Sequence, residues 1–149
     1  MAISSAICSS FKQELLQGKH SLDTSGNGGD TFKLAMYTSS ASLDATTTAY
    51  STGNEISGSG YSAGGATLTN TGVGLNSTTA CTDFSDISFT SASFTANGCL
   101  IYNTTTAGGS GTTNAVCVIA FGGDKTVSSG TFTIQFPTND SSSAIIRLT

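Results

Sequence analysis

The run Thr131-Phe132-Thr133-Ile134-Gln135-Phe136 alternates polar and apolar residues without a break and stops at Pro137, the only proline of the chain. A period of two puts Phe132, Ile134 and Phe136 on one face, the pattern of a strand with one side on a core and the other toward water. Thr31-Phe32-Lys33-Leu34-Ala35-Met36-Tyr37 repeats it, with Phe32, Leu34 and Met36 together. Residues 98–103 and 114–121 are apolar on both faces and read as central strands, joined by a Thr/Gly/Ser hairpin tip over 104–113. Shorter strands are expected at 66–69, 72–75, 78–84 and 86–90, and a last one at 144–148. Ile87-Ser88-Phe89-Thr90 and Ser93-Phe94-Thr95-Ala96 look alike but are too short to count as a repeat.

Many short strands separated by Gly- and Ser-rich turns predict a mainly β, single-domain β-sandwich, immunoglobulin-like or jelly-roll-like, with one N-terminal α-helix. The helix is expected over 4–17. Ile3, Ile7, Phe11 and Leu15 recur every four residues, Ser4 or Ser5 can cap the start, and Gly18 fits the left-handed position after the end. Residues 1–17 are therefore read as a helix or arm, and 18–149 as the sandwich. The arm either docks on a neighbouring subunit or covers one end of its own core.

Composition narrows the function. About a third of the residues are Ser or Thr, and only 9% are charged, against roughly 25% in an ordinary soluble domain. The net charge is −4, which repels polyphosphate and argues against nucleic acid as a partner. A surface rich in hydroxyls and poor in charge desolvates at little cost against a neighbour, as assemblies require. The first residues lack the basic start of a signal peptide, and no apolar run approaches the ~18 residues of a membrane span. Cys8, Cys81, Cys99 and Cys117 have no C-x-x-C spacing and are expected to be reduced. Sequons at Asn76, Asn103 and Asn139 match chance for this composition.

No catalytic, metal or cofactor-binding residue is expected. His20, the only histidine, reads as a solvated loop residue, and no G-x-S-x-G nucleophile elbow is expected in the chain. Asp83 and Asp86 form a close acidic pair, but the chain has no Trp to stack a sugar, so turn-forming aspartates explain them. Asp23, Ser25 and Asn27 followed by Gly28 imitate the start of a calcium loop, yet the twelfth position is Leu34 rather than Glu. Gly58-Ser59-Gly60 fails to complete a dinucleotide motif because Ala63 takes the place of the third Gly.

Phe11-Lys12-Gln13-Glu14-Leu15 and Asp30-Thr31-Phe32-Lys33-Leu34-Ala35-Met36-Tyr37-Thr38 resemble the opening of a family of small virion structural proteins of tailed bacteriophages. The similarity continues through Ala49-Tyr50, Asn54-Glu55-Ile56, Gly60-Tyr61-Ser62-Ala63-Gly64-Gly65, Phe94-Thr95-Ala96 and Gly130-Thr131-Phe132-Thr133-Ile134-Gln135-Phe136, and so covers most of 11–136. Residues 23–29 look like an insertion. The resemblance implies a virion structural role without catalytic residues and leaves the place in the particle open; the first expectation is a capsid decoration (cement) protein made in the host cytoplasm and bound outside the head lattice. Its expected partners are itself, as a homo-oligomer and most simply a trimer, and the major capsid protein or other virion proteins. A tail, neck or fibre-associated protein is the alternative. So is a host-surface or carbohydrate-binding module using Tyr37, Tyr50, Tyr61 and Tyr102 as stacking platforms.

Overall fold

The computed structural model describes residues 2–105 and 113–149. The chain is mainly β, as the alternating runs require. Its strands are β1 (Ala6–Ile7), β2 (Phe32–Tyr37), β3 (Ala66–Thr67), β4 (Asn70–Asn76), β5 (Thr79–Phe84), β6 (Ile87–Asn103), β7 (Ala115–Ile134) and β8 (Ile146–Leu148), and its one α-helix is α1 (Ser9–Leu16). They form two antiparallel sheets, one ordered β1-β7-β6-β2-β3 and one ordered β4-β5-β8. Of the hairpin tip expected at 104–113, residues 106–112 lie outside the described residues. Among the described residues no helix is long and apolar enough to cross a membrane.

The β6–β7 pair is the spine of the larger sheet. It runs from Ile87 opposite Ile134 to Tyr102 opposite Ala115. The sequence pattern divides this ribbon into separate short strands, and the bulges explain why. Ser91 and Ser129 have φ of 50° and 48°, where pairing steps from Phe89–Phe132 to Ala92–Gly130 and then to Phe94–Val127. Further along, Ala96 faces Lys125 while Gly98 faces Ala120, and the extra residues of β7 include Gly122 and Gly123 at positive φ. A bulge adds residues without ending a strand, but it breaks the period of two. Phe89, Ala92, Phe94 and Ala96 are all buried across such a break.

In β2, Phe32, Leu34 and Met36 are buried as expected, and Ala35 and Tyr37 are buried as well because both faces are covered. The helix differs from expectation. It starts at Ser9, with an extended Cys8 as N-cap, whereas Ala6 and Ile7 pair with Val118 and Cys117 of β7. Residues four apart share a face in a strand as well as in a helix, so the spacing from Ile3 to Leu15 could not distinguish them. Gly18, at φ 70°, does end the helix. The N-terminal segment is stitched to its own chain. Ser4 N donates to Leu43 O and Cys8 N to Val116 O, and Phe11 sits in the core at 1% exposure.

Candidate functional site

Two polar clusters stand out, and the first corrects the reading of His20. That side chain is buried rather than solvated. Its Nε2 lies 2.7 Å from Glu14 Oε2, and its Nδ1 lies 2.9 Å from Asn103 Nδ2. Asn103 also donates to Asp30 Oδ2 at 2.7 Å, and its Oδ1 accepts the Thr105 N–H at 2.8 Å. These partners fix the amide orientation, so Asn103 is the donor to Nδ1 and the imidazole proton sits on Nε2, facing Glu14. Phe11 packs against the ring at 4.8 Å. Both ring nitrogens are engaged. A general base needs one nitrogen turned to a nucleophile, and the geometry is that of a buried corner joining α1, the 18–31 loop and the end of β6.

The second cluster centres on Glu55. Its Oε1 accepts from Tyr61 Oη at 2.6 Å and from Gly64 N at 2.7 Å, and its Oε2 accepts from Tyr50 Oη at 2.8 Å. Tyr102 Oη donates to Gly64 O, and its ring stacks on Tyr50 with centroids 4.6 Å apart. Tyr37 Oη donates to Ser51 O. Every tyrosine in the chain thus pins the 38–65 segment to the larger sheet. Burial, and then the Glu55 carboxylate, push the Tyr50 phenol up to about 12, while burial first pushes Tyr37, Tyr61 and Tyr102 upward too. Gly65, at φ 75°, closes the turn where a Cβ would strike the Leu34 carbonyl. As stacking platforms these rings are poorly placed, because Tyr37 and Tyr102 are buried and Tyr50 has Tyr102 on its face.

Within this cluster Gly60-Tyr61-Ser62-Ala63-Gly64 spells G-x-S-x-G, against the expectation that no elbow motif is present. The elbow needs a strand before it and a helix after it. Here Ser62 is exposed in a loop and the next element is β3. The stretch 58–65 serves backbone geometry, with Gly58, Gly60, Gly64 and Gly65 all at positive φ. Between Tyr37 and Asn54 lies a cavity of about 460 Å³, lined by hydroxyls that include Ser40, Ser42, Thr46, Thr48 and Ser51 and by no charged side chain.

The remaining candidates do not assemble. Asp83 is buried rather than a surface turn residue, accepts from Phe84 N, and is pushed upward by desolvation. Asp86 instead accepts from Phe136 N. In the loop resembling a calcium site, Asp23 turns to Thr24 N and Asp30 turns inward to Ser21 N and Asn103. Among the described residues, no three His, Cys, Asp or Glu side chains gather as metal ligands. All four cysteines are free and buried. Burial pushes the Cys8 thiol up to about 11 and Cys99 and Cys117 higher still, which leaves them poor nucleophiles. No protein-family model matches the chain, and neither a curated protein nor a solved structure matches it significantly.

Proposed function

We propose that the chain is a virion structural protein of a tailed phage, a capsid decoration protein that binds the outside of the head lattice as a homo-oligomer, most simply a trimer. One observation carries this reading. Four of the seven segments on which the resemblance rests, 30–38, 49–50, 54–56 and 60–65, meet at one place: Met36 and Tyr37 of β2, Tyr50, Glu55, Tyr61 and Gly64 are joined around one carboxylate. That meeting supports reading these four segments as one folded unit rather than as scattered composition. A subunit with this task needs rigidity and a surface that desolvates cheaply. The Glu55 and Asn103 networks supply the first, and the Ser/Thr-rich, charge-poor exterior supplies the second.

The test is the copy number of the chain in purified particles, measured by quantitative mass spectrometry. Hundreds of copies, roughly in step with the lattice, fit a head protein, whereas about a dozen or fewer fit a tail, neck or fibre component. Absence from particles rules out both. The uncharged, hydroxyl-lined cavity at Ser42 and Thr48 favours the carbohydrate-binding alternative, for which glycan-array binding lost on filling that cavity is the discriminating result.

A further inference from the structure

The chain holds two Asn-Gly pairs, Asn27-Gly28 and Asn97-Gly98. Such a pair has its own chemistry, because glycine sets no side chain beside its nitrogen and lets the backbone turn freely. The glycine nitrogen attacks the asparagine Cγ and the new N–C bond closes a succinimide ring. The side-chain nitrogen leaves as ammonia, taking the proton that the backbone nitrogen gave up. Water then opens the ring at one of its two carbonyls. One opening leaves aspartate, and the other leaves isoaspartate, in which the main chain runs through the former side chain. Water is the only co-reactant, and nothing is oxidised or reduced. The attack requires the peptide between the two residues to turn, so a peptide locked in a β-ladder is protected and one in a loose turn is not.

The fold separates the two pairs. Asn97 and Gly98 lie inside β6, where Gly98 is buried between Tyr37 of β2 and Ala120 of β7. A Cβ there would stand 2.7 Å from the Ile119 carbonyl oxygen, and the Asn97 amide is tied to Asp124 Oδ1 at 2.8 Å. Asn27 instead ends the short 3-10 turn Ser25–Asn27, none of whose residues is buried. Its side-chain amide is exposed and has no hydrogen-bond partner among the described residues. Gly28, at φ 80°, has open space around it, and its N–H reaches only the Ser25 carbonyl over 3.3 Å. We propose that Asn27 is a modification site, converted with age and without an enzyme to isoaspartate and aspartate, while Asn97 is protected.

The position gives the conversion a consequence. The Thr24 carbonyl accepts both the Asn27 and the Gly29 N–H over 2.9 Å. Isoaspartate lengthens the main chain between those two nitrogens, and Gly29 has no room to shift toward Asp23, whose carbonyl already stands where a Cβ would be. Asn70 Nδ2 clamps the loop by donating to the Asp23 and Asp30 carbonyls. Asp30 in turn holds Ser21 N and Asn103 Nδ2, so a longer loop pulls on the buried His20 corner. Either product also adds a negative charge between Asp23 and Asp30.

The test stores the full chain in mildly alkaline buffer at body temperature, samples it over weeks, and follows both pairs by peptide mapping that resolves isoaspartate from aspartate. Conversion at Asn27 is expected to run roughly tenfold or more faster than at Asn97, where the ladder must open first. In urea the two rates should converge, which shows that the fold and not the local sequence separates them. Asn27→Gln should abolish the event at an unchanged thermal midpoint. The isoaspartate form, isolated from aged protein, should unfold at a lower midpoint than Asn27→Asp, which carries the charge without the longer main chain. Comparable rates at the two positions in the folded chain overturn the site. So does an Asn27 that stays intact while the urea-unfolded chain converts. An isoaspartate form as stable as Asn27→Asp overturns the link to the buried corner. None of these results depends on the particle role proposed above.

Discussion

Tyr61 Oη donates to Glu55 Oε1 over 2.6 Å while accepting the Met36 N–H over 2.9 Å, so one phenol joins a loop carboxylate to the backbone of β2. The first bond spans six residues and the second twenty-five. Together they explain how a segment with few large apolar residues, 38–65, stays folded against the sheet. It is held by charge-assisted hydrogen bonds where a richer sequence would use hydrophobic area.

Removing that carboxylate should therefore cost more than its partial exposure suggests. Glu55→Ala strands the donors of Tyr61, Tyr50 and Gly64 together and is expected to lower stability by about 3 kcal/mol, since bonds to charged groups contribute roughly 1.5–3 kcal/mol each and are not additive. Glu55→Gln retains an acceptor for Tyr61 and Gly64 and should lose less than half of that. Urea midpoints of the two variants check the ranking. A loss below about 0.5 kcal/mol for Glu55→Ala would show the knot to be passive.

The same cluster sets an alkaline limit. The folded phenols titrate above the ordinary value of 10.0, Tyr50 near 12 and the others also upward. The folded state thus holds these protons more tightly than the unfolded state. That contribution to stability is complete below pH 10 and is lost as pH rises toward 12 and beyond. Phenolate absorbance followed against pH should stay flat past the usual tyrosine midpoint and then rise in one step with the loss of near-ultraviolet dichroism. A separate early step for any of the four tyrosines would contradict the arrangement.

How much of this was legible depends on period. β2 and the end of β7 were readable because Phe32, Leu34 and Met36, and Phe132 and Ile134, keep strict alternation. The single ribbon of β6 and β7 was not, because the positive-φ residues Ser91, Ser129, Gly122 and Gly123 insert bulges that shift the period. The helix start was misplaced because strand and helix share a four-residue repeat. The His20 corner has no local signature, whereas the bonds to Glu55 span only five to nine residues. Asn103 is 73 residues from Asp30 and 83 from His20, so nothing near His20 in the sequence announced its burial. The strands of the small sheet are expected near 72–75, 78–84 and 144–148, but the pairing of β5 with β8 joins segments far apart in the chain and has no local signal.

The buried end of β7 gives a direct check on the core. Ile134 is nearly enclosed, so Ile134→Ala is expected to cost roughly 2–4 kcal/mol, whereas Leu16→Ala at the exposed end of α1 should change stability by no more than about 0.5 kcal/mol. Thermal or urea unfolding of the pair decides it, and equal losses would mean that the core does not lie where Ile134 points.

Asp83 should respond to pH in the sense opposite to most carboxylates. Desolvation raises it above the ordinary 3.8 in the folded state, so its ionised form opposes folding. Its favourable contribution is present below the unfolded value and lost as pH rises through the folded one. Asp83→Asn keeps an oxygen for the Phe84 N–H and removes the charge. The variant should be more stable than the parent at neutral pH, and the advantage should shrink to nothing in acid. Asp44 and Asp140 are held low by hydrogen bonds, from Thr46 and from the Ser142 and Ser143 N–H groups, and act the other way. For that reason the comparison is of variant with parent at each pH. A variant less stable than the parent at neutral pH would show that the carboxylate is needed as an anion.

Asn103 offers the sharpest test of the His20 corner. It is fully buried, and it donates to His20 Nδ1 and to Asp30 Oδ2 while accepting from Thr105 N. Asn103→Ala leaves the Asp30 carboxylate without that buried donor and is expected to cost on the order of 3 kcal/mol. Asn103→Asp should be worse, because it sets a second carboxylate against Asp30 in a site of low polarity. The imidazole gives a readout independent of stability. Long-range nitrogen–proton correlation spectra of the parent should show the Nε2-protonated tautomer, since Nδ1 must accept from Asn103 and Nε2 must donate to Glu14. The Nδ1-protonated tautomer would require Asn103 to turn its oxygen toward His20. That would break its bonds to Asp30 and Thr105 and overturn the assignment of the whole corner.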